Sequence, residues 1–187
     1  MSSASHSKPA TSQRGQSLVE LALVAPILVI VLGTILQFGV IFASQVGVIN
    51  ATREAARNAA ATTPTLTTAV ASTNGDFAYQ RLLDTWLPKN VMAYDASAVE
   101  TTGATVTQVC YAQYPDPSGR TAIQVTVTTV YKHRLFVPLI ANVLDAFDGS
   151  NDGRLRVTTT ETIRVANPEQ LPSYTGDILA TPGNCYQ

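Results

Sequence analysis

The stretch LVELALVAPILVIVLGTILQFGVIFA, residues 18–43, decides how the rest of the chain is read. Only Glu20 and Gln37 break its apolar character strongly. As a helix it would rise ~39 Å, against a hydrocarbon core of ~30 Å. A buried core helix of this purity and length fits poorly in a chain of 187 residues. The stretch is therefore expected to span a membrane. Overall composition points the same way, with 45% hydrophobic and 13% charged residues, where soluble domains carry about 25% charged. A net charge of −1 excludes a nucleic-acid binder that works through bulk positive charge. A soluble cytosolic enzyme fits no better.

Outward from the span, the charges are uneven. Lys8 and Arg14 precede it with no acid among them, and the next charges after it are Arg53 and Glu54. The positive-inside rule then puts the N-terminus in the cytoplasm and everything beyond about residue 45 outside it. Residues 1–14 are polar and Ser-rich and have too little apolar surface to offset ordering. Ser44–Ala61 contains no Pro and includes Ala-Thr-Arg-Glu-Ala-Ala-Arg-Asn-Ala-Ala-Ala, a good helix former. The helix is expected to continue past the bilayer and to stop at Thr62-Thr63-Pro64. Pro26 should kink it without breaking it.

The remainder predicts a small α+β domain. Asp76 is expected to cap a helix over Phe77–Leu87, closed by Pro88. Three strands are expected: Thr105–Tyr114, Thr121–Tyr131 with Ile123, Val125 and Val127 on one face, and Arg154–Val165 with Leu155, Val157, Ile163 and Val165 on one face. Pro115–Gly119 is turn chemistry, Phe136–Phe147 an apolar helix, and residues 148–153 a loop. The division is a leader (1–15), a long helix (16–61) with its span at about 18–43, an extracytoplasmic domain (62–166), and a Pro- and Gly-rich tail (167–187). The expected fold is α+β: a long helix, half in the membrane, packed on a three- to four-stranded antiparallel sheet.

Functional information concentrates where the leader meets the apolar run: Arg14-Gly15-Gln16-Ser17-Leu18-Val19-Glu20-Leu21. A carboxylate near the end of a membrane helix is costly, up to ~3 kcal/mol at the bilayer centre. The helix N-terminus offsets about 0.3–1 kcal/mol of that. Glu20 therefore needs a positive partner. Cleavage after Gly15 would create one, the α-amino group of Gln16, in the same chain or in a neighbouring copy. Gly at the cut leaves room for a protease to reach the backbone. The bland readings are a snorkelling carboxylate and a flexible linker.

This arrangement resembles the processing site of type IV prepilins. The run from Arg14 to Val24 with Pro26 following, and the run Asn50–Arg57, are similar to the TadE-like family of tight-adherence (Flp) pilus assembly proteins; Ile123–Val127, Tyr131-Lys132 and Leu155–Val165 fit its closing segment. The resemblance implies a pseudopilin-like minor subunit, cut by a prepilin peptidase, that helps assemble or anchor adhesive pili. Its partners would be other pilus subunits and the inner-membrane assembly platform. Major Flp pilins are far shorter and usually carry Tyr after the Glu, where this chain has Leu21, so a major-subunit role is not expected.

Gly39, Ala43, Gly47, Ala51, Ala55 and Ala59 place a small residue at every fourth position. Such rows let helix backbones approach closely, in a filament or with a partner, although a straight helix winds the row by ~40° per step. The plain alternative is that Gly and Ala are common here. Cys110 and Cys185 are the only cysteines; in an exported domain an even pair reads as a disulfide, with two buried thiols as the alternative. Arg53 and Arg57 read as a solvated face. His6 and His133 stand alone. No nucleophile motif, ligand cluster or phosphate loop is present in the sequence. The spacing of Asp145, Asp148 and Asp152 does not match a calcium loop. No catalytic residue, metal or cofactor is expected. The competing readings are a secreted protein whose signal peptide ends near residue 44 and a membrane-anchored extracytoplasmic protein unrelated to pili.

Overall fold

In a computed structural model the chain is described at residues 13–61, 68–115, 121–137, 141–143, 146, 152–165 and 184–187. Helix α1, Gln13–Ala61, is 49 residues long and runs unbroken through Pro26. Its two halves differ in what surrounds them. From Leu18 to Leu36 its large apolar side chains are exposed on every side. From Val48 onward the pattern becomes amphipathic: Val48, Ala51, Thr52, Ala55, Ala56, Ala59 and Ala60 are buried, at the i, i+3, i+4, i+7 spacing of one helix face.

The buried face packs against an antiparallel sheet ordered β3-β2-β1-β4. The strands are β1 (Gln108–Pro115), β2 (Thr121–Arg134), β3 (Arg154–Arg164) and β4 (Asn184–Tyr186). Alternation sends Ile123, Val125, Val127 and Tyr131 of β2, with Val109 and Tyr111 of β1, to the buried side. Tyr111 spans the core, and its hydroxyl donates to the Ala59 carbonyl at 3.1 Å. The opposite face is polar, with Thr126 opposite Thr162 and Thr128 opposite Thr160. The α+β arrangement of a long helix on an antiparallel sheet is as the sequence predicts. The fourth strand is drawn from the tail.

Beside the sheet lies α2 (Thr68–Arg81), which continues through a π turn, Leu82–Trp86, into α3 (Leu87–Asn90). This corrects the reading of Asp76 as a cap and of Pro88 as a terminator. Asp76 sits within α2. Pro88 sits in the first turn of α3; having no N–H, it cannot bond back into the π turn, and the Leu83 carbonyl accepts from the Tyr94 hydroxyl instead at 3.3 Å. In the π turn the Leu87 N–H reaches back to the Leu82 carbonyl, and this brings both leucines, five residues apart, into the core. Of the expected leader, residues 1–12 lie outside the described residues, whereas Gln13, Arg14 and Gly15, expected to precede the helix, form its first turn. The Thr62–Pro64 stop, the Pro115–Gly119 turn beyond Pro115, the 148–151 loop and most of the tail also lie outside the described residues. The helix expected over Phe136–Phe147 does not begin at Phe136: Phe136 and Val137 are non-helical, held by hydrogen bonds to Gln37, and residues 141–143 and 146 are helical.

Candidate processing and assembly site

Gly15 and Glu20 stand at the head of α1. Gly15 is exposed, and nothing lies within 4 Å of the position its Cβ would take. One turn separates Gln16 from Glu20, and the Gln16 Nε2 donates to the Glu20 Oε1 at 3.1 Å. The carboxylate is thus held by a neutral amide. Both groups project from a bare helix, and among the described residues this is the one helix long and apolar enough to cross a membrane.

The other polar residue of the span, Gln37, has a different role. It is only 3% exposed. Its Oε1 accepts from the backbone N–H groups of Phe136 (2.8 Å) and Val137 (3.2 Å), and its Nε2 donates to the Arg134 carbonyl at 3.3 Å. One amide therefore satisfies three backbone groups at and just beyond the last residue of β2. Two turns later Gln45 repeats the device, donating to Thr159 Oγ1 at 2.9 Å while its Oε1 lies 3.3 Å from His133 Nε2. Ser44 donates to the Met92 carbonyl at 3.0 Å, and the Thr52 and Thr129 hydroxyls lie 2.8 Å apart. Burial lowers the His133 pKa, because desolvation penalises the imidazolium. Sequence reading missed this row of polar clamps. The available signal was the isolated amides of an otherwise apolar helix, each needing a partner once buried.

The small-residue row divides. Gly39 and Ala43 are exposed. A Cβ on Gly47 would collide with the Asn90 carbonyl, so that glycine permits α3 to lie against α1. Ala51, Ala55 and Ala59 are fully buried under the sheet and α2. The membrane-distal half of the row thus packs within the chain. Arg53 reaches Glu161 of β3 at 2.7 Å, with its side chain 54% exposed, a pair that contributes little in water. Cys110 and Cys185 form a disulfide between directly opposed positions of β1 and β4, with a Cα–Cα distance of 4.1 Å. It closes β4 onto the sheet beside Tyr186, whose ring packs edge-on to Tyr111 and fills the space a side chain at Gly75 would need.

No curated protein and no solved structure matches the chain. Residues 15–57 match the family described as TadE-like protein. The match begins at Gly15, takes in the exposed apolar half of α1 and ends within its packed half, leaving the sheet outside. Over this helix, 43 of its 187 residues, the chain is similar to TadE-like proteins.

Proposed function

We propose that the chain is a non-enzymatic, pseudopilin-like minor subunit for the assembly or anchoring of tight-adherence pili. In this reading α1 crosses the bacterial inner membrane with Lys8 and Arg14 in the cytoplasm, and the sheet domain lies outside it. A prepilin peptidase cuts after Gly15. The new Gln16 amine, of the same copy or of a neighbouring subunit, then replaces the Gln16 amide as the partner of Glu20. Other pilus subunits and the inner-membrane platform are the partners. The observation that carries this is the accessible Gly15 five residues before Glu20, at the head of an apolar helix whose far half is the spine of the domain.

The same geometry speaks against a signal peptide ending near residue 44. Ser44 is buried and bonded to Met92, so a cut there would sever α1 inside its packed region. The test is N-terminal sequencing of the protein from membranes, with Gly15→Leu alongside. The expected mature terminus is Gln16, and the variant should retain its leader. A terminus near residue 44, or an uncut wild-type chain in cells that process other prepilins, would refute the proposal.

A further inference from the structure

Twenty helical residues rise ~30 Å, the full thickness of the hydrocarbon core. If Leu18 enters at one boundary, the other falls near Gln37. At that level the domain lies beside α1 rather than beyond it. Gln37 binds the backbone of Phe136 and Val137. The Val137 side chain lies 3.5 Å from the position a Cβ on Gly33 would take, one turn deeper.

The domain presents exposed apolar side chains there, with charged ones beside them. Outside α1, four large apolar residues are exposed among the described ones: Phe77, Met92, Phe136 and Val143. Phe77 is on α2 under the Arg81 guanidinium. Met92 and Phe136 instead line one groove of about 250 Å³ with Val40 and Ile41 of α1 and with the charged Asp95, Lys132 and Arg134. Phe136 is 61% exposed. Val143 follows on the segment whose Ala141 N–H bonds the Val137 carbonyl. Phe42, on α1 just above this level, is 66% exposed and stacks on Phe38. Arg134 is exposed beside them. Aromatic and aliphatic groups below a cation are the composition that settles at the headgroup–acyl boundary.

We propose that Phe136, Val137 and Val143, with Met92 and Arg134, form a second membrane contact that seats the domain in the headgroup–acyl boundary at the far end of the span. The occupant is lipid because Val137 lies against Gly33 and Phe136 beside Val40, on the same helix whose apolar side chains are exposed on every side below this level. The inference rests on reading α1 as a membrane span, and the test separates the two claims.

Three single-cysteine variants of the full chain, Val29→Cys, Phe136→Cys and Thr160→Cys, are labelled with an environment-sensitive fluorophore, the native pair remaining oxidised. All three positions are exposed, so the substitutions spare the core, and retained oxidation of Cys110–Cys185 reports folding. The proteins are reconstituted in phosphatidylcholine–phosphatidylglycerol vesicles carrying quenchers either shallow or deep in the acyl chains. The Val29 label should be quenched from the deep position. The Phe136 label should lose roughly half its emission to the shallow quencher, as befits a depth of about 5–10 Å, and the Thr160 label should lose none. A quenched Val29 label with Phe136 behaving like Thr160 overturns the seating and leaves the span intact. So does a Phe136 label that is blue-shifted yet unquenched, because protein then covers the patch. An unquenched Val29 label overturns the span and the seating with it.

Discussion

Replacing Gln37 with Leu sets hydropathy against structure, with opposite signs. By hydropathy alone, removing an amide from a membrane helix stabilises it. By the structure, the same change strips partners from the N–H groups of Phe136 and Val137 and from the carbonyl of Arg134. An orphaned buried backbone group costs about 1–3 kcal/mol. This site lies at the domain margin, where water can reach part of the loop, so the lower end applies and three groups give about 3 kcal/mol. For a domain of this size that lowers Tm by roughly 6–12 °C. The assay is thermal unfolding of the detergent-solubilised full chain, followed by circular dichroism. Thr34→Leu is the control: it removes only a bond from Thr34 Oγ1 to the Ile30 carbonyl within α1, and it should be close to neutral. If Gln37→Leu is as stable as the wild type or more so, the clamp contributes nothing and the reasoning fails.

Glu20→Ala is expected to insert and to be cut after Gly15, but to lose co-purification with pilus subunits. Breaking a pair in a low-dielectric setting costs on the order of 3–5 kcal/mol; normal co-purification and piliation would leave Glu20 without an assembly role. Cys110→Ser with Cys185→Ser opens a cross-link between positions 75 apart in sequence. The chain-entropy cost is about 4 kcal/mol, read as a fall in the urea midpoint, and an unchanged midpoint would contradict it. His133 titrates lower in the folded than in the unfolded chain because it is buried. The unfolded chain therefore binds more protons between the two pKa values, so stability is full above about pH 6.5 and falls as pH drops below it. His133→Gln should flatten that slope in urea titrations from pH 7 to pH 5.

The long helix was legible because two independent patterns meet in it. A bilayer's length of apolar residues runs into an Ala-rich segment with no Pro until residue 64. Strand β2 was legible because Ile123, Val125 and Val127 alternate cleanly. The register of Asp76 and Pro88 was not. A Pro in the first turn of a helix and a Pro ending one look alike in sequence, and only the packing of Leu82 and Leu87 chooses between them. Strand β4 escaped because three residues carry no period; opposition of Cys185 to Cys110, not alternation, places it in the sheet. At the candidate site, the five-residue spacing of Gly15 and Glu20 is in the sequence itself, and the Gln16–Glu20 bond is a contact within one helical turn. The work of Gln37 and Gln45 could not, since their partners lie 88 to 114 residues away. The same distance hid the destination of Gly47: a row of small residues says that something approaches closely, not whether it is the chain's own α3.

Because α1 has no joint between its exposed half and its packed half, the domain is mounted on a rigid lever. Some 24 residues of helix, ~36 Å, separate Gln37 from Ala61. A 20° tilt of the span, ordinary for a membrane helix, would carry the top of the domain sideways by ~12 Å. Bilayer thickness would then steer where the sheet face points, with no change inside the domain. A foot at the lipid boundary, at the base of that lever, is where the swing is most cheaply braced. Any pull on the domain arrives at Glu20 without slack to absorb it.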